Sequence, residues 1–315
     1  MTRAAAIDCG TNSIRLLVAD VPGAGGAALD DVVREMRVVR LGQGVDRTGR
    51  LSDEALARTF DAARDYARLC ERHGAERIRF VATSATRDAE NRQDFVDGIR
   101  GILGVEPEVV TGEAEAALSF AGATSVLPEG TPGPVVVVDI GGGSTELVVG
   151  DPRSPVPEAS VSLDMGCVRL TERHLAGDPP SAEQEAAARA DVRRLLESAA
   201  LPLDDVRSLV GVAGSVTTVT AHALVLDAYD PARIHGSVLP EDAVLAACDS
   251  LLSATREERA AMPFMHPGRI DVIGGGALVW SEVVRYVSER TSGTGTAGVV
   301  TSEHDILDGI AIALA

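Results

Sequence analysis

The chain has 315 residues, 45% hydrophobic and 24% charged, and a net charge of −18, which suits a folded globular protein with room for two cores. That acidity argues against a broad nucleic-acid-binding surface, which needs clustered positive charge. No segment approaches the roughly 20 apolar residues of a membrane helix, so no membrane span is expected.

The predicted elements begin with apolar runs at 3–9 and 14–20, which read as a β-hairpin around Gly10-Thr11-Asn12. A third strand is expected within 32–41. Ser52 can cap a helix that runs to about His73 and stops at Gly74. Strand 78–83, a helix near 91–103, strand 107–110 and a helix near 113–125 follow. The Pro- and Gly-rich stretch 128–134 marks a boundary, after which the pattern restarts. Runs 135–139 and 146–149 predict a second hairpin, with a third strand at 156–163. Helices are expected near 168–175 and 181–199, a strand at 209–212, and helices near 216–226, 241–252, 257–262 and 270–290. A strand at 298–301 and a helix at 303–314 close the chain. Two successive lobes of this kind are predicted, residues 1–125 and 126–301, with the last helix, 302–315, returning to the first.

One phrase occurs twice. Asp8-Cys9-Gly10-Thr11-Asn12-Ser13 and Asp139-Ile140-Gly141-Gly142-Gly143-Ser144-Thr145 each follow an apolar run. Each therefore reads as a strand ending in an acid, then a tight glycine turn with hydroxylic residues. Glycines let backbone N–H groups approach an anion closely, hydroxyls add donors, and the Asp can hold a hydrated divalent cation. A single glycine turn after a strand is commonplace. Two copies at domain-sized separation suggest a phosphate chain held in a cleft between two lobes. All 29 basic residues are Arg, so a side-chain cation that grips phosphate must do so as a guanidinium fork. Cys9, Cys70, Cys167 and Cys248 are scattered without a C-x-x-C pair, as expected of reduced thiols in a cytoplasmic protein. The run 4–7 has no cleavage-like continuation, so a secretory signal is not expected.

Residues 5–15, Ala82-Thr83-Ser84-Ala85-Thr86-Arg87, Gly112-Glu113-Ala114-Glu115-Ala116 and 139–146 resemble successive motifs of the exopolyphosphatase and guanosine pentaphosphate phosphohydrolase family. Residues 165–172 and Gly211-Val212-Ala213-Gly214-Ser215 continue the resemblance. It implies an α/β fold of two ribonuclease-H-like lobes, as in actin-like and sugar-kinase-like ATPases, each with a mixed five-stranded sheet. It also implies a homodimer. The implied reaction is Mg²⁺- (or Mn²⁺-) assisted attack of water on the terminal phosphorus of inorganic polyphosphate. Guanosine pentaphosphate, hydrolysed to the tetraphosphate, is the alternative substrate.

Glu115 occupies the position of the family's catalytic glutamate and is the candidate general base; an acid in a helix's first turn also has a purely electrostatic use. Glu146 is the second catalytic candidate. Asp139 and Glu146, with Asp8 as the other lobe's counterpart, are the expected metal ligands, since hard Mg²⁺ favours carboxylate and phosphate oxygens. Asp8 can alternatively cap its own turn. Gly141, Gly142, Gly143, Ser144 and Thr145 are expected to cradle phosphate, and Thr11, Asn12 and Ser13 to do the same from the first lobe. Gly214 and Ser215 offer a further anion site or serve packing alone. Arg87 is expected to meet a phosphate, and Arg15, Asn91 and Arg169 are further candidates. Gly274-Gly275-Gly276-Ala277 resembles the superfamily's adenosine-side glycine motif or simply starts a helix. Asp308 stands where family members often carry a basic residue. A small-molecule kinase and a non-catalytic alarmone or polyphosphate sensor are the competing classes.

Overall fold

The computed structural model describes residues 2–22, 29–128, 130–154, 156–291 and 298–315. The chain divides into two units, Met1–Val126 with Asp305–Ala315, and Leu127–His304. The first contains β1 (Thr2–Cys9), β2 (Ser13–Val21), β3 (Asp30–Val38), α1 (Val45–Thr48), α2 (Asp53–Arg72), β4 (Arg77–Ala82), α3 (Ser84–Asp88), α4 (Arg92–Leu103), β5 (Glu108–Val109) and α5 (Gly112–Thr124). Its sheet runs β3-β2-β1-β4-β5, antiparallel across the first three strands and parallel across the last three.

The second unit contains β6 (Val135–Ile140), β7 (Thr145–Gly150), β8 (Ala159–Leu163), α6 (Cys167–His174), α7 (Ala182–Ser198), β9 (Ser208–Val212), α8 (Ala213–Ala223), α9 (Pro231–Ile234), β10 (Val238–Leu239), α10 (Glu241–Ser253), α11 (Arg256–Ala261), α12 (Ile273–Arg290) and β11 (Val299–Thr301). Its sheet runs β10-β11-β9-β6-β7-β8, with β6, β9 and β11 parallel and β6, β7 and β8 antiparallel. Both units are thus mixed α/β sheets of the expected order. Where five strands were expected, the second sheet has six among the described residues. The addition is β10, whose two residues are too short to leave a periodic signal; the four- and five-residue helices α1, α3 and α9 escaped prediction for the same reason.

After β11 the chain enters the first unit as α13 (Ile306–Ile312). The reason lies in β1, whose residues Ala4 to Ile7 are fully buried. Ala5, Ile7 and Cys9 face a core with Leu16, Tyr66, Phe80 and Phe95. Ala6 points to the opposite face and packs with Leu17, Ile306, Leu307 and Ile310. A strand apolar on both faces needs a second cover, and α13 supplies it. Arg34 on β3 reaches Asp308 (Nη2 to Oδ1, 2.5 Å), which is wholly buried. Asp308 therefore has a guanidinium partner within its own unit. No described helix is long and apolar enough to cross a membrane.

Candidate active-site groups

The repeated phrase folds as the same turn in both units. Gly10 N–H donates to Ser13 O at 2.9 Å, and Gly141 N–H donates to Ser144 O at 3.0 Å. In each hairpin the phrase's Asp lies opposite the residue seven positions later. Asp8 faces Arg15 and Asp139 faces Glu146.

In the first unit, that cross-strand partner neutralises the acid. Arg15 donates from Nε and Nη2 to Asp8 Oδ2 at 2.9 and 2.7 Å, and from Nη1 to Asp305. Asp8 is 4% exposed. Burial pushes its carboxyl above the usual range, against the opposing pull of Arg15. Its Oδ1 is buried without a hydrogen-bond partner, which leaves one oxygen for water or a cation. Arg15 is thus paired with two carboxylates. Asn91 is likewise occupied: its amide bonds both backbone groups of Leu51, at 2.9 and 3.1 Å. Thr11 and Ser84 share a 2.9 Å hydroxyl contact. The backbone carbonyls of Thr11 and Asn12 accept bonds from Gly42, Val39 and Arg40, so this turn is braced by the segment after β3. Ser13 begins β2.

Glu115 sits in the first turn of α5, which Thr111 caps through Ala114 N–H. It is 7% exposed, unlike an ordinary surface acid. Arg87, on α3, donates from Nη1 to Glu115 Oε2 and to Val110 O, both at 3.0 Å. The structure thus places Arg87 on the candidate base.

In the second unit, the loop after β6 is turned by α6. Gly141, Gly142 and Gly143 carbonyls accept from Cys167, Val168, Arg169 and Gly166 N–H groups. Arg169 Nε also donates to Gly143 O at 2.7 Å, so this guanidinium braces the loop from behind. A Cβ on Gly166 would lie 2.3 Å from the carbonyl group of Gly142, and only glycine permits that approach. With the carbonyls consumed, the N–H groups of Gly142, Gly143 and Ser144 have no acceptor among the described residues. Ser144 Oγ is buried without a partner. These are donors suited to phosphate oxygens. Thr145 departs from expectation: it is fully buried and its hydroxyl donates to Met165 O at 2.9 Å, so it supports the loop.

Asp139 and Glu146, 6% and 1% exposed, stand opposite on β6 and β7, and Ser162 donates to Glu146 Oε1 at 2.7 Å. Facing carboxylates repel one another, and a divalent cation removes that penalty. Two carboxylates with no His or Cys suit Mg²⁺, which keeps waters and substrate phosphates as its remaining ligands. Among the described residues no three His, Cys, Asp or Glu side chains are grouped to hold a metal.

At the β9–α8 junction Ala213 has φ 67°, in the region that favours glycine. Ser215 is buried, and a Cβ on Gly214 would meet the Arg269 guanidinium at 2.2 Å. Arg269 donates from Nη1 to Gly214 O and Thr218 Oγ1, each at 2.9 Å. Sequence reasoning missed Arg269, which stands more than 50 residues away from this turn with no local motif to mark it. The Gly274–Gly276 run starts α12, and added Cβ atoms there would strike Arg259, Thr171 and Ser215. Gly274 and Gly275 also line a cavity with Thr171, Leu175, Arg256 and Arg259.

Known proteins share this chain's sequence and fold. A profile described as the Ppx/GppA phosphatase family matches residues 17–310. Exopolyphosphatase 2 of Mycobacterium tuberculosis is 53% identical over 325 aligned residues, covering 100% of this chain and 99% of the relative. The crystal structure of an exopolyphosphatase-like protein superposes with a TM-score of 0.94 at 47% identity, covering 99% of this chain and 98% of the other. The PPX-GPPA enzyme of Aquifex aeolicus gives 0.80 at 28% identity, covering 99% of each chain.

Proposed function

Because the chain belongs to the Ppx/GppA phosphatase family, we propose that it is an exopolyphosphatase that removes terminal orthophosphate from inorganic polyphosphate. The observation that carries this reading is the second hairpin, where unengaged loop amides adjoin two facing carboxylates. That combination serves a phosphate and its counter-ion, and the match to an exopolyphosphatase along its whole length supports the substrate.

The chemistry is a hydrolysis. A water oxygen bonds to the terminal phosphorus, the bond to the bridging oxygen breaks, and the pair moves onto the shortened chain. Glu115 accepts the proton lost by water. Gly142, Gly143 and Ser144 present donors to phosphate oxygens, and Arg87 supplies positive charge beside the base. Asp139 and Glu146 would hold Mg²⁺ or Mn²⁺, which when bound offsets phosphate charge. Asp8, held by Arg15, organises its own turn, from which Thr11, Asn12 and Ser13 offer polar groups to the chain.

The test is orthophosphate release from short polyphosphate, long polyphosphate and guanosine pentaphosphate with Mg²⁺, side by side. Polyphosphate should be the preferred substrate. Release from guanosine pentaphosphate alone would move the assignment to that nucleotide, and binding without release under any divalent cation would make the protein a sensor. Glu115→Ala should abolish release while leaving polyphosphate binding largely intact. The four cysteines are free and buried, in keeping with a cytoplasmic location. We assign a homodimer, to be checked by sedimentation velocity.

A further inference from the structure

We propose that Arg87 is a positioning residue that ties the general base to the terminal phosphate: Nη1 fixes Glu115, while the opposite edge of the guanidinium takes the phosphate. This rests on the reading of Glu115 as base and goes beyond it in assigning how the base is placed.

The argument starts from what the guanidinium does elsewhere in the chain. Arg3 closes a two-pronged fork on Asp20, Nε to Oδ1 at 2.9 Å and Nη2 to Oδ2 at 2.8 Å. Arg193 does the same on Glu289 through Nη1 and Nη2. These are the geometries an arginine adopts when its purpose is to pair with a carboxylate. Arg87 does neither. It commits one nitrogen, Nη1, to both Glu115 Oε2 and Val110 O. Nε and Nη2 carry three further N–H groups, and none has an acceptor among the described residues. The Arg87 side chain is 25% exposed while that of Glu115 is 9% exposed, so the arginine is the more accessible of the pair. Its open edge, Nε with Nη2, is the one Arg3 uses to grip two oxygens at once.

The second bond, to Val110 O, gives the arrangement its rigidity. Val110 directly precedes Thr111, the cap of the helix that carries Glu115. Guanidinium and base are therefore fixed to the same few residues of backbone. A phosphate held on the open edge would then stand in a fixed relation to the Glu115 carboxylate, which is the placement a reacting group requires.

Four variants separate this from a plain phosphate-binding role: Arg87→Lys and Arg87→Ala, each made alone and in a Glu115→Gln background. The readouts are kcat, KM, polyphosphate affinity by calorimetry and melting temperature. Lysine keeps a charge without the fork, so Arg87→Lys should hold affinity within about threefold while kcat falls about 10²-fold, the cost of a misplaced reacting group. In the Glu115→Gln background the same change should leave residual kcat within about threefold, because the group being positioned is already gone. Losses that multiply in the double variant, or a kcat for Arg87→Lys near that of the parent, would overturn the proposal. So would Arg87→Ala raising KM with kcat unchanged. If Arg87→Ala unfolds, the lysine pair decides alone. Near-parental turnover in Glu115→Gln by itself would instead remove the base assignment, whatever Arg87 does.

Discussion

The crossing of α5 and α13 allows a sharp test of how the chain end is bound to the first unit. A Cβ on Gly122 would stand 1.8 Å from Asp305 O and 2.9 Å from Gly309 N, and one on Gly309 would stand 1.9 Å from Leu118 O. Every atom met is backbone, so no rotamer change relieves the clash. Carbon and oxygen need roughly 3.2 Å, so Gly122→Ala must part the helices by about 1.4 Å at this point. α13 would then lose contact for Ile306, Leu307 and Ile310, now 3%, 2% and 0% exposed. Full burial of each such side chain is worth about 1.5–3 kcal/mol; partial loss, together with overpacking, makes the expected cost about 2–4 kcal/mol. At about 3 °C per kcal/mol for a unit of this size, the melting temperature should fall by roughly 6–12 °C. Gly101→Ala is the matched control. It lies on the exposed side of α4 with nothing within 4 Å of the added Cβ, so it should gain about 0.5–1 kcal/mol through the unfolded chain. Calorimetry of the two variants against the parent decides. Equal melting temperatures for Gly122→Ala and Gly101→Ala would refute the packing argument.

Other outcomes follow from single contacts. Asp308→Lys should lower the urea midpoint, because it places a second cation against Arg34 in a buried site; adding Arg34→Asp should recover part of the loss, and no recovery would show that the pair does not interact. Mg²⁺ should raise the melting temperature of the parent but not of Asp139→Asn with Glu146→Gln, since a ligand stabilises only a fold that binds it; equal shifts in both would move the metal elsewhere. Burial opposes the Asp191 charge, but hydrogen bonds from His174 and Arg194 outweigh it and hold the carboxyl below its ordinary 3.8. A depressed acid contributes stability above its unfolded pKa and loses it as pH falls through the folded value. Urea midpoints of the parent and Asp191→Asn should therefore differ near pH 7 and converge well below pH 4; a constant gap would contradict the pairing.

Much of this fold was readable because its signals are local. Strand alternation, the Ser52 cap and the boundary near 128–134 each depend on neighbouring residues, and the long helices followed from periodicity. The candidate site's local turns were legible to the same depth. The two glycine turns and Glu115 are marked by contiguous motifs, so their positions could be read. The partner of each side chain could not. Arg15, Asn91 and Thr145 have phosphate-binding chemistry, yet they bond to Asp8 and Asp305, to Leu51 and to Met165. Arg269 and Arg34 reach groups more than 50 residues distant, which no window of sequence contains.

On the proposed reading, a single facing residue separates the two hairpins. Both have the same closing hydrogen bond, the same Asp and the same cross-strand register. The residue facing the Asp differs. An arginine there pairs with one oxygen of the acid inside the fold. A glutamate there leaves two carboxylates face to face, which favours a divalent cation over an empty site. Exchanging that one position tests the argument: Glu146→Arg should reproduce the first hairpin's internal ion pair, remove the Mg²⁺-dependent rise in melting temperature and leave the second sheet folded. A retained Mg²⁺ response would mean that the facing residue does not determine what the turn binds.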